Sequence, residues 1–258
     1  MSEKQALSGR HAVITGAAKG IGAAIADRLD AEGASITLMG RTPETLELKA
    51  QNLNKAQAVQ VDVASEDSVI EAFSKASNTL GPVDILINNA GAALSAPLHR
   101  TQTSDWRYML DVNLSGAFYC CREVTPAMRK NNWGRIVNIA SIAGLSGAAY
   151  ITAYCAAKHG VIGLTRALAM ELANKEITVN ALCPGYTNTE LLDGALNNIM
   201  EKTGLSRSEA EAQLKSSNPQ NRFIEPEEIA ASVAWLCLPG SEGITGQAVP
   251  ITGGGSQA

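Results

Sequence analysis

Ser141, Tyr154 and Lys158 stand thirteen and then four positions apart in the stretch SIAGLSGAAYITAYCAAK. Residues four apart share one face of a helix. If Tyr154 begins a helix, Lys158 lies beside it with its ammonium near the phenol. A free phenol titrates at about 10 and is a poor base at neutral pH; a fixed positive charge nearby favours phenolate and lowers that value. Ser141 ends the apolar run RIVNIAS and would present its hydroxyl at the C-terminal edge of a strand. A carbonyl oxygen held between a serine hydroxyl and a tyrosine proton suits hydride transfer, because negative charge develops on that oxygen. Tyr150 is a second tyrosine four residues earlier, but Tyr154 rather than a lysine follows it at the helical spacing. YxxxK also arises by chance in many helices, so the rest of the chain must decide.

The elements that would position these groups alternate along the chain. Residues 11–15 (HAVIT) read as a short buried strand, followed by GAAKGIG and a helical run. Strand, glycine turn and helix form the layout of a nucleotide-phosphate site: glycines admit the pyrophosphate, and the helix N-terminus supplies N–H groups. The glycines are Gly16, Gly20 and Gly22, spaced GxxxGxG rather than the commoner GxGxxG. A second strand over 34–39 ends in Gly40 and Arg41, where an acidic residue would favour NAD. Lys19, inside the glycine turn, and Arg41 instead favour NADP. A helix over 43–54 follows. A third strand over 58–63 carries Asp62, whose carboxylate could accept the adenine amino group, while Ser65 competes to cap the helix over 65–79. A fourth strand over 84–88 runs into NNAG, whose small residues and amides would let a dinucleotide pass close to the backbone.

One long amphipathic helix is predicted over 103–130, with Asn113 inside it. A fifth strand over 135–140 leads to Ser141, and the tyrosine helix runs to about 174. A sixth strand over 177–182 precedes CPGYTNTE, in which Pro184 and Gly185 turn the chain under the nicotinamide end. Residues 186–222 break the rhythm with two short helices separated at Thr203-Gly204, and are read as a substrate lid. A scaffold helix over 225–238, a last strand over 248–252 and the tail GGGSQA complete the chain. The regular β/α alternation without a linker predicts one domain over residues 1–258, built on a doubly wound sheet.

Composition excludes several classes. Net charge is -4 with no basic block, which argues against a nucleic-acid partner. Five cysteines and three histidines show no ligand spacing, so no metal site is expected. The odd cysteine count suits a reducing compartment. The N-terminus MSEKQALSGR lacks the apolar core of a signal peptide, and no apolar run reaches membrane-spanning length. The expectation is a cytoplasmic protein with no membrane partner.

Taken together, TGAAKGIG, NNAG, Asn113, Ser141 with YCAAK, and PGYTNT resemble the short-chain dehydrogenase/reductase family over essentially the whole length. The resemblance implies a Rossmann-type sheet of seven parallel strands flanked by helices on both faces. It implies a homotetramer or homodimer packed through the helices at 103–130 and 154–174. Carried over by position, Tyr154 is the acid or base and Lys158 lowers its pKa and holds the nicotinamide ribose. Ser141 orients the substrate oxygen, and Asn113 organises a water in the proton relay. Gly16, Gly20, Ile21 and Gly22 form the pyrophosphate turn. Asp62 and Val63 flank adenine, while Asn89, Ala90 and Gly91 line the adenosine ribose. Thr187 and Thr189, after Pro184 and Gly185, reach the carboxamide or pyrophosphate.

The overall pattern looks most like 3-oxoacyl thioester reductases, 3-hydroxyacyl or 3-hydroxybutyrate dehydrogenases and polyketide ketoreductases. The expected function is an NADP-dependent interconversion of a small-molecule ketone and a secondary alcohol. The alternatives are an NAD-dependent 3-hydroxyacyl or 3-hydroxybutyrate dehydrogenase and a non-catalytic cofactor-sensing protein. Leu145, Tyr150, Tyr186, Leu191, Leu192 and Met200 are expected to line an apolar pocket. Lys202, Arg207, Lys215 and Arg222 are candidates for meeting a carrier phosphate. His99 is read as surface and Trp106 as core.

Overall fold

Short runs that are apolar on both faces make parallel strands covered by helices on either side. In the computed structural model, which describes residues 5–255, seven strands form one parallel sheet, the inner ones buried on both faces. They are β1 (His11–Thr15), β2 (Ser35–Gly40), β3 (Ala56–Gln60), β4 (Ile85–Asn88), β5 (Gly134–Ile139), β6 (Ile177–Pro184) and β7 (Ala248–Ile251). Their order is β3-β2-β1-β4-β5-β6-β7. The chain winds outward from β1 to β3, then returns to β4 on the other side of β1. That reversal opens a crevice at the strands' C-terminal ends, where ligands of open α/β sheets bind.

Successive side chains of a strand enter opposite layers. Ala12 and Ile14 of β1 join the core under α1 (Gly20–Ala31), α2 (Pro43–Ala50) and α9 (Pro226–Cys237). Val13 enters the other core, under α3 (Glu66–Leu80), α5 (Gly116–Asn131) and α6 (Thr152–Leu172). All five cysteines are buried and unpaired. Residues 1–4 of the polar N-terminus and 256–258 of the tail lie outside the described residues. No helix among the described residues is long and apolar enough to cross a membrane.

Three expectations change. The third strand runs over Ala56–Gln60 rather than 58–63, because its register is set by pairing Ile36–Gly40 of β2 with Ala56–Gln60. Asp62 therefore lies beyond the strand, where its carboxylate accepts from the Ala64 N–H at 3.0 Å and Ser65 caps α3. The long helix at 103–130 is divided into α4 (Thr103–Leu110) and α5 by a π-helical turn, Asp111–Ser115. Trp106 is 38% exposed rather than core, while His99 is on the surface as expected. The two helices of 186–222 form as α7 (Glu190–Thr203) and α8 (Arg207–Lys215), separated at Gly204, whose φ of 74° suits glycine.

Candidate active site

The end of β1 and the end of β4 are tied together by side chains. The Thr15 hydroxyl accepts from the N–H groups of Asn89 and Ala90, both at 3.0 Å. The Asn89 amide donates back to the carbonyls of Thr15 at 2.9 Å and Gly16 at 3.1 Å. Gly16 and Gly20 have φ of 65° and 55°, a region open to glycine. A Cβ on Gly22 would lie 2.3 Å from the Gly16 carbonyl and 2.6 Å from the Asn89 amide. The turn is thus a glycine cradle closed against β4 and opening at the N-terminus of α1, the geometry that receives a phosphate.

The π-helical turn aims Asn113 at the same strand end. Its amide donates to the carbonyls of Ala92 at 2.9 Å and Met109 at 3.0 Å. A Cβ on Gly91 would stand 2.9 Å from the Asn113 oxygen and 3.8 Å from Lys158 Nζ, so glycine keeps these groups close to the backbone. Beneath them, Asn88 donates to Asn138 at 2.8 Å and Asn138 to Thr165 at 2.9 Å, joining β4, β5 and α6 through a buried chain. These asparagines thus pin neighbouring strands.

Ser141 follows β5 and accepts from the Ala143 N–H at 3.1 Å. Tyr154 lies in the first turn of α6, which starts at Thr152, and Lys158 sits one turn on. Lys158 is 4% exposed. Its ammonium donates to the Ile139 carbonyl at 2.9 Å and lies 5.6 Å from the centre of the Tyr154 ring. Burial takes the lysine from its ordinary 10.5 to about 8, with the Cys183 thiol opposing the shift. The Tyr154 phenol moves up rather than down: burial dominates, and the neighbouring Ser141 hydroxyl pulls the other way. The expectation that Lys158 lowers the Tyr154 pKa is therefore not met in this arrangement, since spacing reports proximity but not the loss of water around both groups.

These groups share one cavity of 1440 Å³, larger than the roughly 300–1,000 Å³ of a typical single-ligand pocket. Gly16, Lys19, Gly20, Ile21, Arg41, Asp62 and Val63 line one end, and Asn89, Ala90, Gly91 and Asn113 the middle. Ser141, Tyr154, Lys158, Pro184, Gly185, Thr187 and Thr189 complete its walls. Gly22 lies behind the wall, packed on Gly16.

Of the expected apolar lining, Tyr150, Tyr186, Leu191 and Leu192 face the cavity. Leu145 instead packs on Ala140, Val161 and Ile162, and Met200 on Leu196 and Leu214, each drawn into a small core of its own. Tyr150 has the left-handed φ of 69°, unusual for a residue with a Cβ. Glu190, Arg100 and Tyr108 also line the cavity and were not singled out from the sequence. Glu190 pairs with Lys19, a contact across 171 positions that no local pattern announces. No group of three or more metal-ligating side chains occurs among the described residues.

The family model described as short chain dehydrogenase matches residues 10–199. The chain belongs to the short chain dehydrogenase family. It is an oxidoreductase acting on CH–OH and C=O groups with a nicotinamide cofactor. It is 40% identical over 248 residues to an uncharacterized oxidoreductase of Bacillus subtilis, covering 94% of this chain and 96% of that one. It is 34% identical to the 3-oxoacyl-[acyl-carrier-protein] reductase FabG of Aquifex aeolicus, covering 96% and 98%. It is also 34% identical to a D-beta-hydroxybutyrate dehydrogenase of Rhizobium meliloti, covering 94% and 97%. Among solved structures, a variant of actinorhodin polyketide ketoreductase with NADPH matches with a TM-score of 0.92 and 34% identity, covering 98% of each chain. The sheet of seven parallel strands and the likeness to 3-oxoacyl reductases are as the sequence led one to expect.

Proposed function

We propose that this short chain dehydrogenase is an NADP-dependent reductase of ketones, acting on 3-oxoacyl thioesters or closely related carbonyls. The observation that carries the reading is the convergence of Ser141, Tyr154, Lys158 and Asn113 on one wall of a cavity that begins at the glycine cradle. A bound nicotinamide supplies the hydride to the carbonyl carbon. Ser141 and Tyr154 hold the carbonyl oxygen, and Tyr154 donates its proton as charge builds there. A phenol kept protonated by burial suits that donation. Lys158 would hold the nicotinamide ribose and, one helical turn from Tyr154, its ammonium would offset the negative charge left on the phenolate. Asn113 positions a water on the route by which Tyr154 recovers its proton.

Gly16, Gly20, Ile21 and Gly22 would hold the pyrophosphate, with Thr187 and Thr189 closing from the other side after Pro184 and Gly185. Asp62 and Val63 would flank adenine, and Asn89, Ala90 and Gly91 the ribose beside it. Arg41, exposed on the cavity wall beyond β2, supports the preference for a 2′-phosphate. Lys19 supports it less directly, because Glu190 competes for its charge. The likeness to ketoreductases and to the FabG reductase supports the reductive direction. The segment 186–222 acts as a lid on the single domain. Buried unpaired cysteines fit a cytoplasmic setting. Phe118, 44% exposed on α5, supports pairing of copies through α5 and α6 into a homodimer or homotetramer.

Tyr154→Phe tests the mechanism. Turnover is expected to fall by at least about a thousandfold while NADPH binding, followed by nicotinamide fluorescence, persists; retained turnover would sink the assignment. Titration with NADPH and NADH tests the cofactor. Tighter NADPH binding that is lost in Arg41→Ala supports the proposal, whereas equal or better NADH binding turns the reading toward an NAD-linked hydroxyacyl dehydrogenase.

A further inference from the structure

The segment 186–222 holds itself together. Leu192 and Leu196 of α7 and Ala210 and Leu214 of α8 bury one another in a small core of their own. Arg207 of α8 pairs with Asp193 of α7 at 2.6 Å and with Glu211 at 3.1 Å, and Lys215 pairs with Glu211 at 3.0 Å. Arg222 pairs with Glu228 at 2.6 Å, at the start of α9. None of these three cations lines the cavity, whereas Leu192 of α7 and Leu214 of α8 do. The two helices therefore form one body, and where that body sits shapes the substrate end of the cavity.

Its seat is made by the glycines after β7. The Gly185 N–H donates to the Ile251 carbonyl at 3.0 Å, and the Ile224 N–H donates to the Tyr186 carbonyl at 2.9 Å, so the entry and exit of the segment share a neck beside β7. Beyond Ile251 the chain turns sharply. The Gly255 N–H donates to the Thr252 carbonyl at 3.1 Å, and Gly253 and Gly254 between them have φ of 61° and 87°. Positive φ at both central positions marks a type I′ turn, which accepts Asn or Asp as well as Gly at the first of them.

The loop after α8 removes that freedom. A Cβ on Gly253 would overlap the Asn218 amide oxygen and stand 2.7 Å from the amide carbon. A Cβ on Gly255 would stand 2.8 Å from the Ser217 carbonyl, whereas one on Gly254 would meet Pro219 at an ordinary 3.7 Å. Asn218 in turn organises its own loop: its amide donates to the Arg222 carbonyl at 2.8 Å, and its oxygen accepts from the Gln220 N–H at 2.8 Å.

Resting on the reductase reading above, we propose that the Thr252–Gly255 turn is the seat on which the substrate lid closes, with Gly253 and Asn218 as the positioning residues of the contact. The turn reaches the substrate only through the lid. It presses on residues 217–219, that loop follows α8, and α8 carries Leu214 at the cavity. Ser141, Tyr154 and Lys158 stand on other elements, after β5 and in α6. A side chain at 253 pushes the lid off its seat, and the apparent affinity for a ligand under the lid falls with the closed fraction.

In Gly253→Ala the KM for the acetoacetyl thioester of N-acetylcysteamine should rise by on the order of tenfold, the effect of ordinary overpacking. The change in kcat should be smaller, and NADPH binding should persist. Trypsin reads the lid without any substrate, because Lys202 is exposed near the break between α7 and α8. Cleavage there in the NADPH-loaded protein should quicken by a similar factor, since it tracks the open population. Gly254→Ala strains the same turn but meets Pro219 at ordinary distance, so its effects should be clearly smaller. Asn218→Ala removes the atoms that a Cβ at 253 would strike. It loosens the loop alone, and combined with Gly253→Ala it should add little further change, because the two share one contact.

Equal effects of Gly254→Ala and Gly253→Ala, or full additivity of Gly253→Ala with Asn218→Ala, would assign the glycines to the turn alone and overturn the proposal. Unchanged KM and cleavage in a folded Gly253→Ala would do the same. If Gly253→Ala does not fold, Asn218→Ala decides: faster cleavage at Lys202 supports the seat and unchanged cleavage overturns it. Failure of the unaltered protein to reduce the thioester sinks the reductase reading instead, and the trypsin series still decides the seat.

Discussion

Lys158→Met asks whether the buried ammonium is held at a cost to folding. Lys158 is 4% exposed, and its ammonium has one protein hydrogen bond, to the Ile139 carbonyl at 2.9 Å. Burial brings its pKa from 10.5 to about 8. A shift of that size means the folded state disfavours the charged lysine by about 3 kcal/mol relative to the unfolded chain. The unfolded chain keeps its proton up to 10.5, whereas the folded chain releases it near 8. Between those values the unfolded state binds more protons, so stability rises with pH across the window, and below it the full penalty is present.

Methionine is unbranched, of similar length and uncharged, and it packs adaptably. It leaves the Ile139 carbonyl without this donor, at a cost of about 1–2 kcal/mol. The methionine variant is thus expected to be more stable than the unaltered protein at neutral pH by about 1–2 kcal/mol. The advantage should shrink as pH climbs past 8 and reverse by 10.5. Urea unfolding of both proteins without cofactor, at matched concentration across that range, reads the difference directly. The same variant is expected to lose turnover. A methionine variant several kcal/mol less stable at neutral pH, or a difference that ignores pH, would refute the reasoning and make Lys158 a stabiliser of the fold.

Gly22→Ala pushes a Cβ to 2.3 Å from the Gly16 carbonyl, which is backbone and cannot swing away. It should cost about 1–3 kcal/mol in thermal unfolding and weaken NADPH binding. Gly194→Ala, where a Cβ meets nothing within 4 Å, is the control and should gain up to about 1 kcal/mol from helix propensity. Glu190→Gln releases Lys19 and should tighten NADPH binding by no more than about fivefold, because exposed ion pairs contribute at most about 1 kcal/mol. Fluorescence titration at low and high salt checks this, and an unchanged affinity at both would show that Lys19 does not reach the cofactor phosphates.

What the sequence made legible were features carried by local spacing. The strand, glycine turn and helix at residues 11–31 could be read because each piece has its own short-range signature and the cradle admits no other residue at Gly22. The third strand starts two residues and ends three residues earlier than expected because Gln57 and Gln60 blur its apolar run, and pairing with β2 sets the register. The π-helical turn escaped because one inserted residue hardly disturbs a helical period, although a polar Asn113 amid apolar neighbours hinted at it. Pairing of the lid cations was illegible for a different reason. Arg207 finds Asp193 and Lys19 finds Glu190 only once the chain has folded. Those pairings separate Lys202 from three cations that look equivalent in sequence.

The costly features also have a place. Lys158, the left-handed Tyr150 and the π-helical turn around Asn113 all border the cavity at the C-terminal ends of the strands. Strained or desolvated groups persist where the surrounding fold over-determines them. A second buried cation lies at the other end of the same sheet. Arg135, at the start of β5, is 1% exposed and thus as buried as Lys158. It stacks 4.6 Å from the centre of the Trp133 ring and stands 3.6 Å from Glu242, so its charge is met by a ring face and a carboxylate. A guanidinium keeps its proton under any such burial, whereas a lysine can give its proton up. One end of the sheet therefore holds a cation that is fixed and paired, and the other holds a cation whose proton is movable near neutral pH. Placing the movable one a helical turn from Tyr154 is what burial for packing alone would not require, and it is the physical reason to read that end of the sheet as the place of proton transfer.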